Sequence, residues 1–388
     1  MRGRDPGQVH RASTSLELLF DLCFVVAVAQ AAGQLHHALA EGHVVAGLAG
    51  FAMVFFAIWW AWMNFTWFAS AYDTDDAPYR VLTLVQMAGV LVLAAGVPAA
   101  VNHYDFAVIT AGYVLMRVAL VSQWLRAAIQ DPIGRTASLR YAAGVSLVQA
   151  GWVARLWLPG SAGLVGFGVL ALAEVAVPVF AEYRGRRTPW HAGHIADRYG
   201  AFVIIVLGEV VLATLTAVQA ALGARTTATG VLLVAGGGLL LVFALWWVYV
   251  TGAEARLADL RTALTWGYGH YLGFSAIAAL GAGLDAAIDA LGHDARLSEP
   301  AAAFAVALPV AVFLIVLATL HRVGSTGATC HGPVIASGVV LVLLVAAGTP
   351  ALGLGIAVLV MGLVVVATLV ANLAVTAYRT RDAPATDA

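Results

Sequence analysis

Long apolar stretches alternate along the chain with short connections that hold most of the charged residues and the Gly and Pro breaks. A bilayer core about 30 Å thick needs roughly 20 mostly apolar residues per helix, and the stretches have that length. The pattern predicts spans near 15–39, 43–70, 80–101, 105–128, 136–158, 161–182, 195–220, 229–251, 262–289, 300–321, 332–348 and 350–377. The last two divide at Thr349-Pro350, because proline cannot continue the helical hydrogen-bond ladder. The expected fold is all-α, a polytopic integral membrane protein of about twelve transmembrane helices. With such short connections, any site must be built within the helices or at their mouths, which excludes a separate soluble catalytic domain.

Composition agrees. Of 388 residues, 62% are hydrophobic and only 11% are charged, a balance that excludes a water-soluble globule and offers no basic patch for nucleic acid. Every basic residue is Arg, so the formal net charge of -1 hides a single cation type, a usage that carries little mechanism. With the predicted spans, Arg155, Arg225 and Arg296 fall outside, Arg117 falls within a span, and the remaining Arg fall on the inner side, including the basic connection from Arg184 to Arg187. Basic loops resist translocation, so both termini are expected in the cytoplasm. Arg2, Arg4 and Arg11 before an apolar stretch ending in Ala27-Val28-Ala29 imitate a secretory signal, but Glu17 and Asp21 interrupt its core, and a retained first helix is expected. Cys23 and Cys330 form no CxxC pair or disulfide framework.

The second span contains Phe56-Ala57-Ile58-Trp59-Trp60 and the eighth Phe243-Ala244-Leu245-Trp246-Trp247, about half a chain apart. Asp21 and Glu209 repeat that offset to within one residue. Two six-helix halves, 1–190 and 191–388, are the expected result of duplication. An even number of spans per half makes them parallel pseudo-repeats about an axis along the membrane normal.

An ionised side chain in the bilayer core costs about 2.5–3.5 kcal/mol on insertion scales. Asp21, Arg117, Glu174 and Glu209 therefore stand out. Glu17 and Asp21 share a helix face at i, i+4 spacing, a ladder that could pass a proton or cation inward. Glu209 is placed near the midplane, the deepest of the acids, and Gly208 allows close approach to it. Arg117 is read as the only deep cation, able to pair with one or two acids, which leaves a carboxylate protonated, hydrated or bound to an ion. Structural pairing is the alternative: the acids accept hydrogen bonds from Arg117 and neighbouring amides and fix the packing.

His191, His194 and Asp197 are spaced one turn apart at the inner mouth of the seventh span and could share a metal, although Arg198 is the natural partner of Asp197. No cofactor is otherwise implied. His36, His37 and His43 read as a solvated outer connection. Thr265-Trp266-Gly267-Tyr268-Gly269 resembles a potassium filter, but it occurs once at the start of a full span, where the glycines ease packing.

The stretch Leu16-Glu17-Leu18-Leu19-Phe20-Asp21-Leu22-Cys23-Phe24-Val25-Val26-Ala27, followed by Ala196-Asp197-Arg198-Tyr199-Gly200 and Val206-Leu207-Gly208-Glu209, resembles the bacterial low temperature requirement protein A family. That family shows an ELFFDLVFV-type first span, an ERFG…LGE segment and tryptophan-rich second spans, in this order over essentially the whole chain. Leu19 stands here for the usual aromatic and Asp197 for Glu; neither change removes a charge. The resemblance implies a multi-pass protein of a bacterial inner membrane, named for growth in the cold, without an activity or catalytic residues to carry over. Glu17, Asp21, Arg198 and Glu209 match its motifs.

The leading functional expectation is a secondary transporter or ion-conducting protein in which Asp21 and Glu209 bind a proton or cation while Arg117 and Glu174 tune them. Its partners would be membrane lipids and a small solute, proton or cation. One alternative is an intramembrane enzyme acting on lipids with a His191/His194/Asp197 site, although no nucleophile motif or HExxH occurs. Another is a structural or sensory protein responding to membrane fluidity.

Overall fold

The computed structural model describes the chain except for residues 2, 6, 9, 10, 183–186, 224–227, 252–256, 258, 293–295, 325–330 and 382–388. The side chains of 217, 220–223, 228, 324, 380 and 381 are also excepted. Arg2, Arg184, Arg186, Arg225, Arg256 and Cys330 thus lie outside the described residues.

Among the described residues the chain is all helix: α1 (Ser15–Ala40), α2 (Val44–Tyr72), α3 (Ala77–His103), α4 (Ala107–Gln130), α5 (Arg135–Arg155), α6 (Gly160–Glu182), α7 (Ala192–Gly223), α8 (Ala228–Thr251), α9 (Leu260–Asp289), α10 (Glu299–Gly324), α11 (Gly332–Ala347), α12 (Thr349–Leu352) and α13 (Leu354–Arg381). Ten of these are long and apolar enough to cross a membrane, which makes this a multi-pass membrane protein. Two long helices fall short of that measure. Arg135, Arg140 and Arg155 lower the hydropathy of α5, and α11, with 16 residues, reaches only about 24 Å. The break after α11 also differs from expectation. Pro350 begins the single turn α12, and the chain is redirected at Gly353, whose φ of 79° is the left-handed conformation that suits glycine.

Contacts divide the chain into two compact units. Unit 1 comprises Met1–Gln34 and Leu48–Ala201; unit 2 comprises Leu35–Gly47 and Phe202–Ala388. The halves expected from the repeat divide at residue 190, whereas the units divide inside α7, whose first turns are held by α1 and α2 in unit 1. The two tryptophan pairs also differ in setting: Trp59 and Trp60 are buried, while Trp246 and Trp247 are 41% and 51% exposed.

In lipid, helices associate through close packing, which small residues permit. In unit 1, α3 packs on α4, α4 on α5 and α5 on α6. A Cβ added at Gly112 of α4 would stand 2.6 Å from the Gly89 carbonyl oxygen of α3, so only glycine allows that approach. In unit 2, α9 packs on α10 and α8 on α13. The filter-like segment lies inside continuous α9, where a Cβ on Gly269 would meet Leu320 of α10 at 2.6 Å. Its glycine serves packing, and its carbonyls belong to a helix.

The helix starts are specified locally. Thr14 and Glu17 form a capping box on α1: the Thr14 N–H donates to Glu17 Oε2 at 2.8 Å, and the Glu17 N–H to Thr14 Oγ1 at 3.3 Å. Asp76 caps α3 by accepting from the Tyr79 N–H at 3.0 Å, and Arg126 of α4 grips both its carboxylate oxygens. That grip holds the Asp76 carboxyl below its ordinary 3.8, at about 2. A depressed folded-state value gives stability that is complete above the unfolded value and is lost as pH falls through about 2. Unfolding midpoints should therefore converge between wild type and Asp76→Asn on going from pH 5 to pH 2. Asp76→Ala should cost a further ~1 kcal/mol at neutral pH by removing the cap.

Candidate functional site

In unit 1 the first two turns of α1 and α7 form a two-tier ladder of charge. Glu17 and Asp21 stand one above the other on α1, and His194 and Arg198 do the same on α7, because i, i+4 residues share a helix face. All four side chains are fully buried. His194 Nε2 lies 3.2 Å from the Glu17 carboxylate, Arg198 Nη1 lies 3.2 Å from Glu17 Oε1, and Arg198 Nη2 donates to Asp21 Oδ1. The Trp62 indole of α2 donates to the same Asp21 oxygen at 2.7 Å. Rings house the ladder: Phe65 lies 3.9 Å from Phe20 and 5.9 Å from the Arg198 guanidinium carbon. Tyr199 meets Trp62 edge-on and accepts from Trp67 at 3.2 Å.

Two findings correct the sequence reading. Arg198, expected beside Asp197 at the helix mouth, is instead fully buried there and pairs with Asp21 and Glu17. Asp197 is exposed, since it lies off the face shared by His194 and Arg198. The proposed metal trio also fails to converge. His191 Nδ1 accepts from the His194 N–H at 3.0 Å, its Nε2 contacts the Gln8 carbonyl at 2.6 Å, and His194 faces Glu17. Among the described residues no three His, Cys, Asp or Glu side chains are placed to hold a metal.

The ladder is incompletely satisfied. Asp21 Oδ2, Arg198 Nε and Nη1, Glu17 Oε1 and His194 Nδ1 are buried without a hydrogen bond, although buried polar atoms normally have one. With both acids ionised and His194 neutral, two negative charges face one guanidinium, and a proton or bound cation restores neutrality.

The chain before α1 lies over this end of unit 1. Arg11 donates to the terminal α2 carbonyls of Ser70 and, at 2.9 Å, Ala69, and it stands 3.7 Å from Asp73. Burial first, then the neighbouring Glu17 charge, push the Asp73 carboxyl up against the pull of Arg11 and Arg4. Tyr79 OH and Asp73 Oδ2 add two more buried polar atoms without a hydrogen bond, the second facing Arg11 and Arg4 as an ion pair.

A second charged centre of unit 1 joins α2, α4, α5 and α6. Arg117 Nη2 donates to Tyr113 OH at 2.6 Å and to Glu174 Oε1 at 3.5 Å, and its guanidinium lies over the Tyr113 ring. Trp60 donates to Glu174 Oε2 at 2.7 Å and Trp152 to Oε1 at 3.1 Å. Thus α2 serves both centres, sending Trp60 to Glu174 and Trp62 to Asp21 from nearly opposite faces.

Glu209, expected to be the deepest acid, is half-buried in unit 2, and no hydrogen bond holds it among the described residues. The charge it feels is Asp285 of α9, a residue the sequence reading passed over, whose Oδ1 is buried without a partner. One turn further, Asp289 accepts His36 Nε2 at 2.7 Å, so His36 is tied to α9 rather than solvated. His37 and His43 remain toward solvent or lipid, and other polar groups pair between helices, as Gln86 does with Gln123 at 2.9 Å.

A family model described as bacterial low temperature requirement A protein matches residues 12–374, which include both tiers of the ladder and the Arg117–Glu174 centre. An uncharacterized protein of Rhizobium meliloti (strain 1021) is 27% identical over 257 residues, covering 63% of this chain and 59% of that protein. The match therefore spans less than two thirds of that relative's length.

Proposed function

The chain belongs to the bacterial low temperature requirement A family, and on that premise we propose that it is a secondary transporter or ion-conducting protein of the inner membrane whose coupling site is the Glu17–Asp21–His194–Arg198 ladder. The observation that carries this reading is the ladder's charge imbalance together with its buried atoms that lack a hydrogen bond, Asp21 Oδ2 and Arg198 Nε among them. A structural ion pair has no use for a spare carboxylate oxygen and a spare guanidinium edge in a buried site, whereas a site that loads and releases a proton or small cation needs both. Glu209 with Asp285 would supply a second acidic station in unit 2. Arg117 and Glu174 fit a fixed role better, because indoles and a guanidinium surround that acid. The finer layout belongs to the same proposal: α1 to α11 and α13 as twelve spans, parallel halves, and both termini cytoplasmic, as the distribution of Arg suggests.

The test is flux in proteoliposomes across a panel of cations, protons and small solutes. Asp21→Asn keeps the shape of the side chain and an acceptor for Trp62 while removing the charge. It should lower the coupled flux at least tenfold with the protein still folded, and Glu209→Gln should lower it less. Equal fluxes in wild type, Asp21→Asn and empty liposomes would reject transport and leave the packing role.

A further inference from the structure

At the end of unit 1 away from the ladder, Arg155 closes α5 in a setting that calls for a ligand. The residue is only 7% exposed. Its Nε donates to the Gly163 carbonyl at 2.8 Å, and among the described residues its two terminal amino groups make no hydrogen bond and face no carboxylate. What surrounds the guanidinium is aromatic: the rings of Phe106, Phe167 and Trp152 lie 4.6, 5.2 and 5.9 Å from its central carbon. Its terminal amino groups therefore open onto the adjoining cleft, where a planar guanidinium fork is matched by a carboxylate.

Arg155 also lines two cavities. One is a cleft of about 410 Å³ at the helix ends, bounded by Tyr104, Ala107, Leu158, Gly160 and Gly163. The other is an apolar pocket of about 20 Å³ among the rings, reaching Tyr113 and Trp152, with room for about one water-sized group. The first residues of α4 and α6 stand at the cleft, and unpaired N–H groups and the helix dipole at such ends favour negative charge. Asp105, the nearby acid, is committed to α4, where it accepts from the Ala107 N–H at 2.9 Å.

We propose that this cleft binds a small organic monocarboxylate, its carboxylate on the free fork of Arg155 and its apolar body against Phe106, Phe167 and Trp152. The planar fork matches a carboxylate with two parallel hydrogen bonds. The aromatic walls favour an apolar body over a strongly hydrated inorganic anion, and Asp105 at the rim disfavours a polyanion. Trp152 and Tyr113, which line the pocket, also contact the Glu174–Arg117 centre, so occupancy is felt there. The proposal concerns binding alone and is independent of the coupling role given to the ladder.

Benzoate is the probe, titrated into full-length protein in nanodiscs, with calorimetry and tryptophan fluorescence as readouts. Saturable binding is expected, with benzamide, its neutral counterpart, at least tenfold weaker. Arg155→Gln should weaken benzoate at least tenfold and Arg155→Lys several-fold. Phe167→Leu, which keeps a sizeable apolar side chain but removes the ring, should weaken benzoate more than acetate, and this variant keeps the test open if Arg155→Gln fails to fold. Asp21→Asn should leave benzoate affinity unchanged. No saturable benzoate binding, equal affinity for benzamide, displacement by equimolar chloride, or indifference to both Arg155→Lys and Phe167→Leu would each overturn the assignment.

Discussion

Arg198→Gln should destabilise the protein by about 3–5 kcal/mol, because removing one partner of a buried pair leaves uncompensated charge. Here two acids, Glu17 and Asp21, lean on one guanidinium, and His194 alone cannot neutralise them. Glutamine can satisfy an oxygen of one acid, but it carries no charge and its amide oxygen brings a further acceptor. Two comparisons separate this account from general disruption of α7. Adding Asp21→Asn to Arg198→Gln should recover part of the loss, with a coupling of about 0.5–3 kcal/mol in the double-mutant cycle. Asp197→Asn, one residue away on the exposed side, should stay within about 0.5 kcal/mol of wild type. Denaturant unfolding in detergent of wild type, Asp21→Asn, Arg198→Gln, the double variant and Asp197→Asn gives the five stabilities required. If Asp197→Asn proved as damaging as Arg198→Gln, the ladder would be the wrong pairing.

Much of the architecture was legible because hydropathy reports burial in lipid directly. The helices lie within a few residues of the predicted spans, with the largest surprise at Gly353, where a glycine rather than Pro350 alone redirects the chain. The site was harder to read. Its individual residues are visible as charges out of place in apolar runs, yet sequence adjacency pairs Arg198 with Asp197, whereas the fold pairs it with Asp21 and Glu17. Residues one apart on a helix point about 100° away from each other, so adjacency argued against that pair. The available signal was the shared i, i+4 spacing of Glu17 with Asp21 and of His194 with Arg198, which makes two matching edges. Arg155 and Asp285 were missed for a different reason. Both sit near predicted span ends, where a charge looks solvated, and only the tertiary packing, rings around Arg155 and the approach of α1 and α7 to Asp285, reveals their burial.

The Glu174 centre should respond to substitution by a different rule, since every group aimed at that carboxylate is a donor: the Trp60 and Trp152 indoles and the Arg117 guanidinium. Arg117→Met should cost about 3–5 kcal/mol, as expected when a buried acid loses the cation that faces it. Glu174→Gln removes the charge as well, yet it keeps one oxygen to accept from an indole and turns its NH2 toward another donor. Its cost should be that of one or two unsatisfied buried groups, about 1–3 kcal/mol each, plus whatever Arg117 loses as a buried cation left with Tyr113 alone. The double variant Arg117→Met/Glu174→Gln should then be more stable than the sum of its parts, because neither charge is left behind. Unlike Asp21→Asn, none of these changes is expected to alter flux once the remaining folded protein is normalised, since every atom of this acid already has a donor and none is free to load an ion. A flux lost in Glu174→Gln at full folding would move the coupling site from the ladder to α6.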